Sequence, residues 1–249
     1  MFTAKDLLQS EVPNVRVGIG CGTGSGIVER SVHALRSENV IIYKDPQALV
    51  DDLFSGKIDA AVRGDMPSSE LLSTLKKKAG LDELERLVIL EPNRGRTVFL
   101  APVGIDEGWT VGQKYSLAVR SIDLMKELDA GTKIAVMSGG RKEDVGRNKV
   151  VDVSIKDALE LVALLSKEGY DAYHAEILIE SAVEDADLII APDGITGNLI
   201  FRVLHFIGGA VALGAPVLNM DKVFVDTSRV KSDYTDSIML AMKLAEGKK

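Results

Sequence analysis

The chain has 249 residues, of which 46% are hydrophobic and 27% charged, and its formal net charge is −7. This balance is typical of a soluble globular protein, and such a length supports a core without disulfides or metals. The negative charge argues against sequence-independent nucleic-acid binding. The single cysteine, Cys21, excludes an intramolecular disulfide and a cysteine-based zinc site, and three scattered histidines do not form a metal site, so we expect no metal and a reducing, cytoplasmic compartment. We expect no signal peptide, because the first residues lack an apolar core and a small-residue cleavage site, and no membrane span, because no apolar run reaches about 18 residues.

Short apolar runs predict β-strands, and the amphipathic segments between them predict helices. The expected strands are 15–19, 40–43, 58–62, 87–90, 97–101, 133–137, 188–191 and 223–225. They are apolar on both faces, as in strands that helices cover on two sides. The alternation of strands and helices predicts an α/β fold with a mostly parallel sheet.

Helices are expected from Gly26 to Leu35, around Tyr115–Met125, from a cap at Ser154 through Ser166, and over Asp233–Glu246. The turn-rich segment 91–96 is the strongest candidate for a domain boundary, and 219–221 is a weaker one.

A glycine-rich loop, Gly18–Gly26, follows the first strand and opens a helix. No frame satisfies the G-x-G-x-x-G dinucleotide pattern. Residues 18–24 resemble the first motif of S-adenosylmethionine-dependent methyltransferases, and a tight turn without a ligand is an equal alternative. Cys21 is either a nucleophile at the helix start or a small buried thiol.

Two further glycine turns follow later strands. Ser138-Gly139-Gly140 precedes the basic residues Arg141, Lys142 and Arg147, a combination that suits phosphate. The alternative is a solvated charged loop in which Glu143 and Asp144 partly cancel the charge.

The second turn is Asp193-Gly194, followed by Thr196-Gly197-Asn198 at the start of a helix. Hydroxyl and amide groups at a helix N-terminus can bind an anion or a carbonyl oxygen. The alternative is that Thr196 merely caps the helix.

Ser228-Arg229 follows the last predicted strand and places a hydroxyl beside a cation, a pair that suits an acyl carbonyl or a phosphate. Asp226, Asp233 and Asp236 lie nearby as candidate general bases, and one of them is an alternative ion-pair partner of Arg229. His33 and His174 are expected to be structural or solvated.

Taken together, these loops carry a resemblance to a known superfamily. The Asp193–Asn198 segment resembles the Asp-Gly-x-Thr-Gly-Asn signature of the PlsX-like phosphate acyltransferases. Ser138–Arg147, residues 208–216 and Ser228-Arg229 are similar to segments of the phosphate acetyltransferases and butyryltransferases. In overall pattern and length the chain resembles the methanogen marker group of methyltransferase-related MtxX proteins.

The resemblance implies a two-lobed, three-layer α/β/α fold like that of the isocitrate and isopropylmalate dehydrogenases. One lobe would comprise residues 1–95 and 221–249, and the other would comprise 96–220 and carry a homodimer interface. An acyl phosphate or thioester would bind between the lobes, and no cofactor would be held tightly.

The expected activity is acyl transfer between phosphate and a thiol carrier such as coenzyme A. The implied phosphate or acyl ligands are Ser138, Gly139, Gly140, Arg141, Asp193, Gly194, Thr196, Gly197 and Asn198. Arg229, with Ser228, would stabilise charge on the carbonyl oxygen, and Asp236 or Asp233 would deprotonate the thiol. The alternatives are methyl transfer, with S-adenosylmethionine or as a subunit of a corrinoid system, and a non-catalytic ligand-binding relative.

Overall fold

Strands and helices alternate along most of the chain. The computed structural model describes residues 3, 6–7, 13–22, 24, 26–92 and 96–248. In chain order the elements are β1 Val17–Gly20, α1 Ile27–Leu35, β2 Val40–Tyr43, α2 Pro46–Ser55, β3 Ala60–Val62, α3 Ser68–Ala79, β4 Val88–Glu91, β5 Val98–Ala101, α4 Val111–Glu127, β6 Ile134–Met137, α5 Lys149–Lys167, β7 Ala172–Glu176, α6 Ile179–Asp185, β8 Leu188–Ile190, α7 Gly194–Arg202, β9 Val211–Pro216, β10 Val223–Asp226 and α8 Thr235–Glu246.

The chain divides into two compact units. The terminal unit comprises Ala4–Leu84 and Leu213–Lys249, and the central unit comprises Met1–Thr3 and Glu85–Ala212. The boundaries expected from the sequence, 95/96 and 220/221, lie further along the chain than the divisions at 84/85 and 212/213.

The terminal unit is built on strands in the order β2-β1-β3-β10-β9. β1, β2, β3 and β10 are parallel, and β9 is antiparallel to β10. Leu49, Leu53, Leu71 and Leu75 of α2 and α3 pack with Phe224 of β10 in one buried cluster. Burial of each such side chain contributes about 1.5–3 kcal/mol.

The central unit is built on strands in the order β4-β5-β8-β6-β7. β5, β8, β6 and β7 are parallel, and β4 is antiparallel to β5. The carboxyl ends of four parallel strands therefore lie at one edge of this sheet. In open α/β sheets that edge is where ligands bind.

The expected strands are confirmed to within a few residues, but β7 and β9 were missed. β7 has the sequence Ala-Tyr-His-Ala-Glu, whose polar side chains hide a strand at the outer edge of the sheet. The expectation that every strand is apolar on both faces was wrong for β2, also an edge strand, where Ile41 is 38% exposed.

The helix expected to start at Ser154 begins earlier. Asn148 is the N-cap of α5 and accepts a hydrogen bond from the Val150 amide at 2.8 Å, so Ser154 lies inside the helix. α8 starts at Thr235 and not at Asp233, because the Asp233 carboxylate accepts hydrogen bonds from the Thr235 amide and hydroxyl.

Candidate functional site

The Ser138–Gly140 turn lies at the carboxyl end of β6. The Ser138 hydroxyl is 2.8 Å from the Gly140 carbonyl oxygen and 2.8 Å from His174 Nε2. The Ser138 amide donates to the Glu176 carbonyl at 2.8 Å, and the Gly139 amide donates to the Ser154 hydroxyl at 2.9 Å. The turn is therefore held by both neighbouring β7 and the following helix, and Ser138 is only 1% exposed.

The basic residues after this turn are only partly neutralised. Arg147 forms an ion pair with Asp144, and Asp144 also accepts a 2.9 Å hydrogen bond from the Arg141 amide. The hydrogen bond from the Arg141 amide, which has the largest effect, and the contact with Arg147 lower the pKa of Asp144. The Arg141 and Lys142 side chains are exposed. The expected cancellation by acidic neighbours thus applies to Arg147, whereas Arg141 and Lys142 have no ion-pair partner among the described residues.

The Asp193–Asn198 segment lies at the carboxyl end of β8. Asp193 is the N-cap of α7, and its two carboxylate oxygens accept hydrogen bonds from the Thr196 amide at 2.8 Å and the Thr196 hydroxyl at 3.0 Å. The alternative in which Thr196 is the cap is therefore wrong, since Thr196 is the residue being capped. Asn198 Nδ2 donates to the Val103 carbonyl at 2.8 Å.

The glycines of this segment are required by packing. A Cβ atom on Gly194 would overlap the Gly104 carbonyl oxygen, and one on Gly197 would overlap the Pro102 carbonyl oxygen. The Asp-Gly-x-Thr-Gly-Asn pattern therefore encodes close packing of the start of α7 against the segment after β5, in addition to any ligand contact.

The polar residues later in this helix serve local contacts. The Arg202 guanidinium lies 5.2 Å from the centre of the Phe206 ring. His205 Nδ1 is 2.7 Å from the Ala210 carbonyl oxygen, at the end of a π-helical turn over Val203–Ile207.

A buried lysine lies beneath the Asp193 turn. Lys114, from α4, donates to the Pro192 carbonyl at 3.1 Å, and its ammonium group is 3.8 Å from the Asp157 carboxylate. Its burial lowers the pKa of the ammonium group, and the carboxylates of Asp157 and Asp193 oppose that shift. The ammonium group places a positive charge next to the capping aspartate.

The structure brings these two turns to one edge of the central sheet. β6 and β8 are adjacent and parallel, with Ala135 paired to Ile189, so both turns leave the same edge. Sequence reasoning overlooked Lys114 and set aside His174. Lys114 could have been recognised as a lysine near the start of a mostly apolar helix face. No pattern in the sequence, in contrast, indicates that His174 lies next to Ser138.

The Ser228-Arg229 pair follows β10 in the terminal unit. Asp226 is buried and forms an ion pair with Arg63, and the Thr227 hydroxyl donates to the Gly64 carbonyl at 2.8 Å. Beyond this anchored stretch, Arg229 is exposed. Among the described residues, no carboxylate forms an ion pair with Arg229, so the local ion-pair alternative fails for this part of the chain.

The carboxylates of both candidate bases, Asp236 and Asp233, already form polar contacts. Asp236 forms an ion pair with the buried Lys231, and burial raises the pKa of Asp236 although Lys231 opposes the shift. Burial also raises the pKa of Asp233, but hydrogen bonds from Thr235 and Ser31 outweigh it, so the net pKa is lowered.

The glycine-rich loop after β1 is tightly packed. A Cβ atom on Gly20 would lie 2.6 Å from the Met66 sulfur, and one on Gly22 would lie 2.9 Å from the Met66 Cα. The Gly22 amide donates to Asp65 at 2.7 Å. Thr23 and Ser25 lie outside the described residues. Packing alone accounts for these two glycines.

Of the two interpretations of Cys21, nucleophile or small buried thiol, the structure supports the buried thiol. Its Sγ lies 3.6 Å from a Glu29 oxygen, and burial together with the Asp65 and Glu29 carboxylates raises the pKa of the thiol. A raised pKa disfavours the thiolate that a nucleophile requires.

The predicted site residues therefore form two sets. The central unit holds Ser138 to Arg141 and Asp193 to Asn198, and the terminal unit holds Ser228, Arg229, Asp233 and Asp236. In the described part of the chain, no group of three or more His, Cys, Asp or Glu residues is arranged to bind a metal ion. None of the described helices is both long and apolar enough to cross a membrane.

Comparison with known proteins gives relatives that include proteins of Methanosarcina mazei and Methanopyrus kandleri. The chain is 44% identical over 207 residues to a protein of Methanosarcina mazei named "Putative methyltransferase mtx subunit X", covering 83% of this chain and 74% of that protein. It is 39% identical over 258 residues to an "uncharacterized methyltransferase" of Methanopyrus kandleri, covering 94% and 100%. No family model matches the sequence.

Solved structures share the fold. A branched-chain phosphotransacylase from Enterococcus faecalis superposes with a TM-score of 0.72 at 17% identity, covering 93% of this chain and 99% of that one. A phosphotransacetylase from Staphylococcus aureus gives 0.70 at 14%, covering 98% and 100%. Isocitrate dehydrogenase from Methylococcus capsulatus gives 0.57 at 11%, covering 93% and 84%. The expected three-layer α/β/α fold, like that of phosphotransacetylases and isocitrate dehydrogenase, is confirmed.

Proposed function

Since the chain belongs to the methyltransferase mtx subunit X family and has the phosphotransacetylase fold, we propose that it transfers an acyl group between phosphate and a thiol carrier such as coenzyme A. The observation that carries this proposal is the pairing of two glycine turns at one sheet edge. The turns at Ser138–Gly140 and Asp193–Gly194 end adjacent parallel strands, with the exposed Arg141 beside the first. A phosphate group fits backbone amides and a guanidinium group.

The terminal unit supplies the groups that acyl transfer needs. In the proposed reaction the thiol sulfur attacks the acyl carbon of an acyl phosphate. The carbon–sulfur bond forms, the carbon–oxygen bond to phosphorus breaks, and phosphate leaves. Arg229 stabilises the negative charge on the carbonyl oxygen, with the Ser228 hydroxyl assisting. Because Arg229 has no ion-pair partner among the described residues, its charge is not neutralised within that part of the chain.

Asp236 is the proposed base for the thiol. Its Oδ1 accepts hydrogen bonds from the Lys231 ammonium group and the Ser237 hydroxyl. Its raised pKa makes it a stronger proton acceptor than an ordinary carboxylate. Asp233 is less suited, because its Oδ1 holds the start of α8 and its pKa is lowered.

A direct assay tests the proposal. Purified protein is incubated with short acyl-coenzyme A thioesters, with and without phosphate, and free thiol is measured. We expect phosphate-dependent thiol release and a loss of about 10²–10³ in kcat for Arg229→Ala. Lys126→Ala, which removes an exposed charge from α4, is the matched control and should leave kcat unchanged. Absence of phosphate-dependent turnover with every thioester would overturn the proposal.

Methyl transfer is the second candidate, because it is the activity in the relatives' names. The loop that resembles an S-adenosylmethionine motif is tightly packed at Gly20 and Gly22, which weakens the case for methyl transfer. Calorimetry with S-adenosylmethionine separates the two, since tight binding would rank methyl transfer first. Phosphate binding without any turnover would instead indicate a non-catalytic ligand-binding relative.

We also propose that the chain forms a homodimer through the central unit. Large apolar side chains are exposed along α7 and the residues after it: Ile195, Leu199, Val203, Phe206, Ile207 and Val211. No acidic residue lies between positions 194 and 211. Contiguous exposed apolar surface is typical of protein interfaces. Light scattering should give a dimer mass for the unmodified chain and a monomer mass for Leu199→Asp.

A further inference from the structure

One backbone N–H group of the Ser138–Gly140 turn has no acceptor among the described residues. The amide of Ser138 binds the Glu176 carbonyl, the amide of Gly139 binds the Ser154 hydroxyl, and the amide of Arg141 binds Asp144. Within the described residues, the Gly140 amide has no hydrogen-bond acceptor. Buried amides are nearly always paired, so an unpaired one beside a basic side chain is a donor for an anion.

The direction of the hydrogen bonds around Ser138 can be deduced. A carbonyl oxygen cannot donate, so the single hydroxyl proton of Ser138 goes to the Gly140 carbonyl. The hydroxyl oxygen must then accept at its 2.8 Å contact with His174 Nε2, which makes Nε2 the protonated nitrogen. His174 Nδ1 is buried and has no hydrogen-bond partner in the described part of the chain, in agreement with an unprotonated Nδ1.

Both peptide groups that flank the free amide are thus fixed. On one side, Ser154 holds the Gly139 amide, and on the other, Ser138 holds the Gly140 carbonyl. His174 acts on the second of these through the Ser138 hydroxyl. A Cβ atom at position 140 would lie 2.6 Å from a Val151 methyl carbon, so Gly140 cannot be replaced by a larger residue unless its surroundings shift.

We infer that His174 is a positioning residue for anion binding: its Nε2–H holds the Ser138 hydroxyl on the Gly140 carbonyl and keeps the Gly140 amide directed to a phosphate oxygen. This role rests on the proposed function, because it assumes that phosphate binds at this turn. It assigns His174 no contact with the substrate and no proton transfer.

Inorganic phosphate binding, measured by calorimetry on the full chain, tests the role. His174→Phe removes the donor and should weaken binding about tenfold, the effect of losing one hydrogen bond. His174→Gln places an amide N–H near the position of Nε2 and should restore most of the affinity. Ser138→Ala should match His174→Phe, and the double variant should be no weaker than either. His33→Phe, at an exposed histidine, is the control and should bind as the unmodified chain does.

A spectroscopic measurement keeps the role testable if His174→Phe is too unstable. Nitrogen-15 NMR of the histidine rings should show His174 protonated at Nε2, with a shift that changes on phosphate addition. Protonation at Nδ1 alone overturns the inference. Normal phosphate binding by His174→Phe also overturns it, while leaving the proposed function intact. Absence of phosphate binding by the unmodified chain overturns both.

Discussion

The ammonium group of Lys114 donates a 3.1 Å hydrogen bond to the carbonyl oxygen of Pro192, which lies 78 positions away in the chain. This bond joins the first turn of α4 to the residue that precedes the helix cap Asp193. Asp193 in turn accepts hydrogen bonds from the Thr196 amide and hydroxyl. The buried ammonium group of Lys114 therefore supports the residues that form the start of α7.

Replacement of this lysine should therefore destabilise the central unit. Lys114→Met keeps the aliphatic volume but leaves the half-buried Pro192 carbonyl without its donor, which costs about 1 kcal/mol. Urea unfolding followed by circular dichroism measures the change. Lys156→Met, at an exposed position of α5, should alter the unfolding free energy by less than about 0.5 kcal/mol. Equal effects of the two substitutions would contradict the buried role of Lys114.

The glycine at position 197 should not tolerate even alanine. The added Cβ would overlap the Pro102 carbonyl oxygen, and overpacking of this kind costs about 1–3 kcal/mol. Gly112→Ala is the matched control, because the nearest atom to its Cβ is 4.0 Å away and the position lies in the first turn of α4. Alanine there should be neutral or should raise the melting temperature. A Gly197→Ala protein as stable as the unmodified chain would show that the two segments can separate without cost.

Stability should fall as the pH drops below about 6.5, and His174 should contribute to this fall. Burial lowers the pKa of His174, while Glu176 opposes the shift and Lys142 adds to it. The unfolded chain thus binds a proton at a higher pH than the folded chain, so the contribution is complete above the unfolded pKa and is lost as the pH falls through the folded pKa.

The measurement is the free energy of unfolding at several pH values between 7 and 5. His174→Gln, which cannot be protonated, should show a shallower decrease over this range than the unmodified chain. An identical slope in the two proteins would mean that His174 titrates as it does in the unfolded chain.

Cys21 should react slowly with thiol reagents. Its raised pKa lowers the thiolate fraction, and its burial restricts access. Since the chain has one cysteine, alkylation measured by mass spectrometry reports on this residue alone. We expect alkylation at pH 8 to be at least about tenfold slower in the folded chain than in urea. Equally fast alkylation of the folded chain would restore Cys21 as a candidate nucleophile.

Much of the fold could be predicted because its strands are buried. β3, β6 and β8 are continuous apolar runs whose burial is visible in the residues themselves. β7 was not predictable in this way, since an edge strand contacts a neighbour on one side only and tolerates Tyr173, His174 and Glu176. The start of α5 was misplaced because serine also occurs inside helices, and here the Ser154 hydroxyl accepts a hydrogen bond from the Gly139 amide instead of capping the helix.

The candidate site was predicted as a set of turns, and their local roles were not. Asp193 and Thr196 were both named, but which of them caps the helix depends on backbone angles that the sequence does not encode explicitly. Lys114 and His174 were not recognised as part of the site, because their contacts bridge 78 and 36 positions of the chain.

The amino-acid sequence by itself determined the α/β class, the family resemblance and the positions of the glycine turns, because these depend on local patterns of apolar and turn-forming residues. Only the tertiary structure decided which turns share a sheet edge, which hydrogen-bond donors are already used and which amide has no acceptor among the described residues. Those properties depend on strand order and on hydrogen bonds between distant residues, and a short sequence pattern contains neither.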